Sequence, residues 1–294
     1  MLYLLIVSLI WAFSFGLIKG NLVSLDSNFV AFVRLLISFL VFIPFLKIKE
    51  LKQEYIWKFL LIGSVQYGIM YAAYIYAFQF LDAYEVVLFT IFTPIYVNVI
   101  NDLLAKKFHG GYFTTALLAV IGTGIILNDE ISSSNVLTGF VLIQVSNLAF
   151  AFGQVYYKRV MKNISDIKDW NIFALLYLGA MSVTFIFSIF TTDFTNINIS
   201  STQLFTLLYL GAIASGLGFF LWNYGVRKTN IGTAAIFNDL KIPLGILVSV
   251  LFFGDSVKIQ NLVVGGLIVT AALVINEYRF NKSLYTQTTK ERSK

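Results

Sequence analysis

Four ionisable residues stand inside long apolar stretches of this chain: Arg34, Glu85, Asp239 and Lys241. Insertion scales charge about 2.5–3.5 kcal/mol for Arg, Lys or Asp at the centre of a bilayer helix, so such groups face protein or water rather than lipid. At 1.5 Å rise per residue, Asp239 and Lys241 fall near the middle of their stretch, and Arg34 and Glu85 within roughly 10 Å of an end. A carboxylate and an ammonium at such depth can hold the charged ends of a small molecule, exchange protons, or form ion pairs. Two positions apart, Asp239 and Lys241 are about 200° around a helix and are not placed to pair with each other. For the shallower Arg34 and Glu85, a structural ion pair and a coupling role are equal readings.

Polar and aromatic side chains recur at the same depth. Gln66, Tyr67, Tyr71 and Tyr74 fall on one stretch, the tyrosines at i, i+4, i+7 on one helical face. Asn147 and Gln154 flank Phe150 and Phe152, and Trp222, Asn223 and Asn238 complete the set. Each alone suits an interhelical hydrogen bond; together they describe a wet, aromatic-lined cavity. Pro94 and Pro243 lack the N–H that would serve the carbonyls of Thr90 and Asp239. Interrupted helices at matching places in two halves point to a carrier's binding site, with a packing kink as the alternative.

The expected substrate-binding set is therefore Gln66, Tyr67, Tyr71, Thr90, Asn147, Gln154, Trp222, Asn238, Asp239 and Lys241. Arg34, Glu85 and Asp239 are candidates for coupling or ion pairing, and Pro94 and Pro243 for helix breaks. Asp239, with Glu85 and a free Thr90 carbonyl, would take an ammonium group, and Lys241 or Arg34 a carboxylate. That division favours an amino acid or a related zwitterion or amine.

These residues need membrane helices to position them. The 294 residues are 58% hydrophobic and 12% charged, against roughly a quarter charged in soluble proteins. Apolar stretches run over 2–19, 28–46, 58–80, 83–104, 111–128, 136–157, 170–191, 203–226, 230–253 and 259–276, each long enough to cross as a helix. The first lacks a basic flank and a cleavage site and reads as a span, not a signal peptide. Seventeen of the 21 Lys and Arg fall in the tail and alternate loops on one side, against Lys19 and Lys258 on the other. The positive-inside rule then places both termini in the cytoplasm. With no Cys and one His, disulfide, thiol, iron–sulfur and His-rich metal chemistry are not expected. Neither a cofactor nor a nucleic-acid partner is expected, because the basic residues are dispersed between apolar runs.

Ala12-Phe13-Ser14-Phe15-Gly16 recurs as Ala149-Phe150-Ala151-Phe152-Gly153, and Tyr76-Ala77 with Pro94 is echoed by Tyr224-Gly225 with Pro243. Both echoes are displaced by five spans. An odd repeat inserts its second copy upside down, as in many alternating-access carriers. The expected fold is thus an all-α integral membrane protein of ten transmembrane helices in two five-helix inverted-topology repeats, 1–130 and 136–277, followed by a basic cytoplasmic tail, 278–294.

Ile10-Trp11-Ala12-Phe13-Ser14-Phe15, Phe32-Val33-Arg34-Leu35-Leu36 and Thr93-Pro94-Ile95-Tyr96 resemble the EamA-like family of the drug/metabolite transporter superfamily. So do Gly218-Phe219-Phe220-Leu221-Trp222-Asn223-Tyr224-Gly225-Val226, Lys241-Ile242-Pro243-Leu244, Phe253-Gly254-Asp255 and Val264-Gly265-Gly266-Leu267-Ile268. The resemblance implies a ten-helix bacterial inner-membrane carrier of amino acids or related metabolites, often an exporter, with a cavity lined by helices 1, 3, 4, 6, 8 and 9. It also adds Trp11, at the family's first-helix Trp, to the expected substrate-binding set as an aromatic wall. Trp11-Ala12 replaces the usual Trp-Gly, and Ala105-Lys106 the usual Gly-Glu, which removes any contact made by that Glu. The expected partners are a small-molecule substrate and the lipid bilayer, with the chain a monomer or homodimer. A carrier importing a carboxylate or nucleotide-type metabolite is the alternative. An intramembrane enzyme would need a metal motif or a nucleophile with its base, and a channel would need charge rings or a carbonyl filter; neither pattern is present in the sequence.

Overall fold

The computed structural model describes residues 1–81, 85–86, 89–126, 136–164, 166–248 and 259–292. Lys258, the Phe253-Gly254-Asp255 motif and the polar loop 132–135 lie outside these. Among the described residues the secondary structure is helical throughout: α1 (Leu2–Asn21), α2 (Ser27–Phe42), α3 (Gln53–Ala77), α4 (Thr90–Ala105), α5 (Gly110–Ile126), α6 (Val136–Lys162), α7 (Phe173–Thr191), α8 (Ser201–Lys228), α9 (Ile231–Val248) and α10 (Ile259–Arg292). The starts are written in capping residues. Asp26 accepts from the Phe29 N–H ahead of α2, and Ser200 and Gln203 close a capping box on α8. Lys106, at φ 51°, turns the chain out of α4 in the left-handed conformation usual at a helix C-terminus.

Among the described residues six helices are long and apolar enough to cross a bilayer: α1, α2 continued to Phe45, α3, α6, α7 and α8. Their outward positions carry large apolar side chains, Phe190 at 83% and Phe205 at 70% exposure among them, which is the surface a lipid solvent requires. α10 continues without a break through the segment read from sequence as a basic tail. Residues 278–292 contain neither Gly nor Pro, the two residues that most strongly break a helix.

Met1, Ala105 of α4, Lys158 of α6, Arg227 of α8, Ile231 of α9 and Glu277 of α10 surround one recess and define one face of the bundle. Residues 23–28, Gln79 just after α3 and Thr191 of α7 surround a recess at the opposite face. At the Met1 face, Asp169 is buried in the α6–α7 connector. It accepts from the Tyr157 hydroxyl at 2.7 Å and pairs with Arg227 at 3.1 Å, tying α6, α7 and α8 together.

Two helices widen midway. Residues Ser64–Ile69 of α3 and Leu210–Leu217 of α8 form π-helical turns, a feature frequent at functional sites. Neighbouring side chains serve carbonyls along the α8 turn. Trp11 Nε1 donates to Ala214 O at 2.9 Å, Ser38 Oγ to Gly211 O at 2.8 Å, and Tyr177 Oη to Ser215 O at 3.0 Å.

Candidate functional site

The helices surround a partly open cavity of about 70 Å³. α1 contributes Trp11, Ser14 and Ile18, α2 Arg34, α3 Met70, Tyr71 and Tyr74, α4 Thr90 and Thr93, α6 Ser146, Asn147 and Phe150, α8 Phe219, and α9 Lys241. One wall is aromatic. Trp11 lies edge-on to Phe150 at 5.9 Å and to Phe219 at 5.5 Å between ring centroids. The Lys241 ammonium stands over that wall, 5.6 Å from the Trp11 ring and 5.9 Å from Phe150, within cation–π range.

Both cations are held ready to donate. Arg34 is 2% exposed; its Nη2 donates to Tyr71 Oη at 2.6 Å, its Nε to Ser215 Oγ at 3.3 Å, and its Nη1 has no partner among the described residues. Lys241 makes no hydrogen bond or ion pair to a described residue. Among the described residues lining the cavity there is no Asp or Glu. The cavity is therefore positive, with guanidinium and ammonium donors beside aromatic faces, and hydroxyl and amide groups from Ser14, Thr93, Ser146 and Asn147 around them.

Of the residues expected from sequence, Trp11, Tyr71, Thr90, Asn147, Lys241 and Arg34 line this cavity. The Thr90 carbonyl is not free as expected: Thr93 Oγ1 donates to it at 2.7 Å. The hydroxyl one residue before Pro94 thus supplies a donor in place of the N–H that proline lacks. Pro94 lies in the first turn of the α-helical part of α4, after a 3-10 turn over Thr90–Phe92, and Pro243 inside α9. Glu85 is buried away from the cavity lining.

Gln66, Tyr67, Gln154, Trp222 and Asn238 form a layer beside the cavity, each nearer the Met1-face end of its helix than the lining residues on that helix. Gln66 and Asn223 exchange two hydrogen bonds, at 2.8 and 3.1 Å. Trp222 Nε1 donates to Gln154 Oε1 at 3.1 Å, Asn238 Nδ2 to Ala234 O at 2.8 Å, and Tyr67 stacks on Phe219 at 4.2 Å. Gly153 leaves room for Gln66, whose side chain a Cβ at 153 would overlap. These groups are fully buried and close the cavity toward the Met1 face. Gln66→Leu or Asn223→Leu alone strands one buried amide and is expected to destabilise by about 1–3 kcal/mol. The double substitution removes both polar partners and recovers part of that loss, so a thermal-unfolding double-mutant cycle will show positive coupling.

Asp239 lies outside the lining, 0% exposed, with neither carboxylate oxygen hydrogen-bonded to a described residue. Sequence reading did not single out Ser14, Ile18, Met70, Thr93, Ser146 or Phe219 as lining residues, although Ser14, Thr93 and Phe219 stand within quoted motifs.

A model of the EamA-like transporter family matches residues 1–128 and again 137–277. A probable biotin transporter of Pseudomonas aeruginosa is 34% identical over 278 residues, covering 94% of this chain and 97% of that protein. The biotin transporter of Escherichia coli (strain K12) is 36% identical, with 94% and 92% covered, and that of Salmonella typhimurium 35% identical with the same coverage. A solved structure described only as "Crystal structure of protein" shares the fold at a TM-score of 0.75 and 13% identity, over 94% of this chain and 96% of that one. The chain is a multi-pass membrane transporter of small metabolites, not an enzyme, and belongs to the EamA-like transporter family.

Proposed function

We propose that this chain is a secondary carrier of biotin or a closely related carboxylate with a ring body, working by alternating access in a bacterial inner membrane. One observation carries the reading: the cavity presents two cations with donors to spare and no acid among its described lining residues. An amino acid would bring an ammonium group into that positive space, so the zwitterion expected from sequence is less well served than a monoanion. Biotin offers a carboxylate for Lys241 or Arg34, a ureido group for the hydroxyls and amides, and an apolar sulfur ring for the Trp11–Phe150–Phe219 wall. The names of the relatives point the same way.

The two-repeat, ten-span architecture is supported by the packing. Replacing each helix number by its counterpart five along turns α1–α9 into α6–α4, α2–α8 into α7–α3 and α1–α8 into α6–α3, and each of these pairs packs together. The π-turns of α3 and α8 and the prolines of α4 and α9 are also five helices apart. The repeats are taken as 1–130 and 136–277, with the Met1 face and both termini cytoplasmic on the strength of the basic residues. The closed layer at that face then makes this the conformation sealed toward the cytoplasm.

Binding tests the substrate class. A ligand that binds only the folded state raises apparent stability, by about 2.7 kcal/mol at a hundred times its Kd. Biotin is expected to raise the melting temperature of the purified carrier, with biotin methyl ester and free amino acids giving little or no shift. Equal shifts from acid and ester would remove the role given to the cations.

A further inference from the structure

We propose that Asp239 is a proton-binding site outside the substrate cavity, and that its proton crosses the membrane together with the anionic substrate. This rests on the anion-carrier reading above.

Asp239 sits mid-way along α9 with both carboxylate oxygens buried and without a hydrogen-bond partner among the described residues. A carboxylate left ionised in such a place is far more expensive than a neutral carboxyl group. One turn earlier on α9, Ala235 packs against Val97 and Ile100 of α4, and Ile236 against Ala119 of α5 and Val269 of α10. On α4, Asn98 Oδ1 is a further buried acceptor without a donor. Asp239 is thus buried between helices and is not among the residues lining the cavity that Lys241 faces.

The other titratable or charged groups on the helices around α9 are accounted for elsewhere. Tyr3 and Lys19 stand at the two ends of α1. On α4, Tyr96 donates to Gln144 and Asp102 binds His109. Tyr112 opens α5. Glu277 of α10 accepts from Asn230 and Thr233 at the Met1-face end of α9, where Tyr278 and Arg279 follow it. Arg227 of α8 pairs with Asp169. Lys241 is the charge closest to Asp239 along the chain.

Charge balance on α9 links the two sites. With the substrate carboxylate on Lys241, α9 and its cargo are neutral only if Asp239 carries a proton. With the cavity empty, they are neutral only if Asp239 has released it and balances Lys241. Each crossing of the low-dielectric interior is then made without net charge on this helix, which the price of a charge at the bilayer centre favours. Pro243, two residues past Lys241, interrupts the same helix, so a movement re-aiming Lys241 also moves Asp239. Proton and anion binding reinforce each other reciprocally, so substrate affinity rises as pH falls.

The test uses the full-length carrier in proteoliposomes with radiolabelled biotin. Wild type is expected to accumulate biotin down an imposed proton gradient. Asp239→Asn should retain biotin counterflow, which shows that it is folded and binds, but lose at least ten-fold of the gradient-driven accumulation; Asp239→Glu should recover much of it. Gradient-driven accumulation by Asp239→Asn equal to wild type, or wild-type accumulation indifferent to the gradient, would overturn the proposal. Absence of biotin counterflow in wild type would refute the substrate reading instead. The proton site is then decided by infrared spectra of the protein in bilayers with and without biotin: a neutral-carboxyl C=O band that appears on saturation with biotin in wild type and is lost in Asp239→Asn sustains it, and no such band sinks it.

Discussion

Lys241→Met is expected to abolish useful transport while leaving the protein as stable as before, or more so. Lys241 is 8% exposed and makes no hydrogen bond or ion pair to a described residue, its recorded neighbours being the Trp11 and Phe150 rings. Removing a buried cation that makes no hydrogen bond or close ion pair relieves a desolvation penalty in the substrate-free protein, Asp239 keeping its proton in the variant, and Met has nearly the same length. With substrate present, the same change strands a carboxylate in a dry aromatic cavity. Truncating one member of a buried charge pair costs about 2–5 kcal/mol, or roughly 30- to several thousand-fold in affinity at 1.4 kcal/mol per decade. Binding titrations and thermal unfolding of one preparation separate the two effects. A fall in both together would make Lys241 a structural residue. Arg34→Lys is the companion change, because an ammonium cannot reproduce the planar fork that reaches Tyr71 and Ser215 while leaving Nη1 available.

Gly63→Ala is expected to prevent folding or nearly so. A Cβ there would overlap the backbone carbonyl of Leu176, where α3 and α7 cross, and neither helix can yield without moving the other. Overpacking in an ordinary core costs about 1–3 kcal/mol because side chains give way; here the obstacle is main chain, so the loss lies at or beyond the top of that range. Gly20→Ala is the control: nothing lies within 4 Å of its added Cβ, and within a helix the change should be neutral or stabilising by up to about 1 kcal/mol. Expression and unfolding in detergent compare the two. A Gly63→Ala protein that melts like wild type would show that the α3–α7 crossing is looser than described.

How far the sequence reached depended on whether a residue's partner lay nearby in the chain. Apolar runs and interrupting charges are local signals, and from them the helices and the interior placement of Arg34 and Lys241 were legible; the Trp11 wall came from the family resemblance. Gln66, Gln154 and Asn238 were recognised as buried polar groups, yet whether such a group lines a cavity or plugs it depends on a distant partner. For Gln66 that partner is Asn223, 157 residues away. The Thr90 carbonyl was expected to be free because proline removes a donor; the replacement donor three residues on, Thr93, could have been foreseen from Thr-Pro itself. Nothing nearby in the chain marks Asp169, and only the folded chain brings Arg227 to it. The π-turns had no sequence signal at all, since they depend on side chains from α1, α2 and α7 to serve their carbonyls.

The central claim is that a positive, acid-free cavity carries a ring-bearing carboxylate across the membrane. Counterflow tests it most directly: proteoliposomes holding purified carrier and loaded with unlabelled biotin are diluted into a trace of labelled biotin, with unlabelled competitors outside. The predicted result is transient, saturable accumulation of label that is suppressed by excess biotin and by related carboxylates with a ring body, but not by biotin methyl ester or amino acids. Absence of accumulation, or accumulation suppressed equally by the ester, would contradict it.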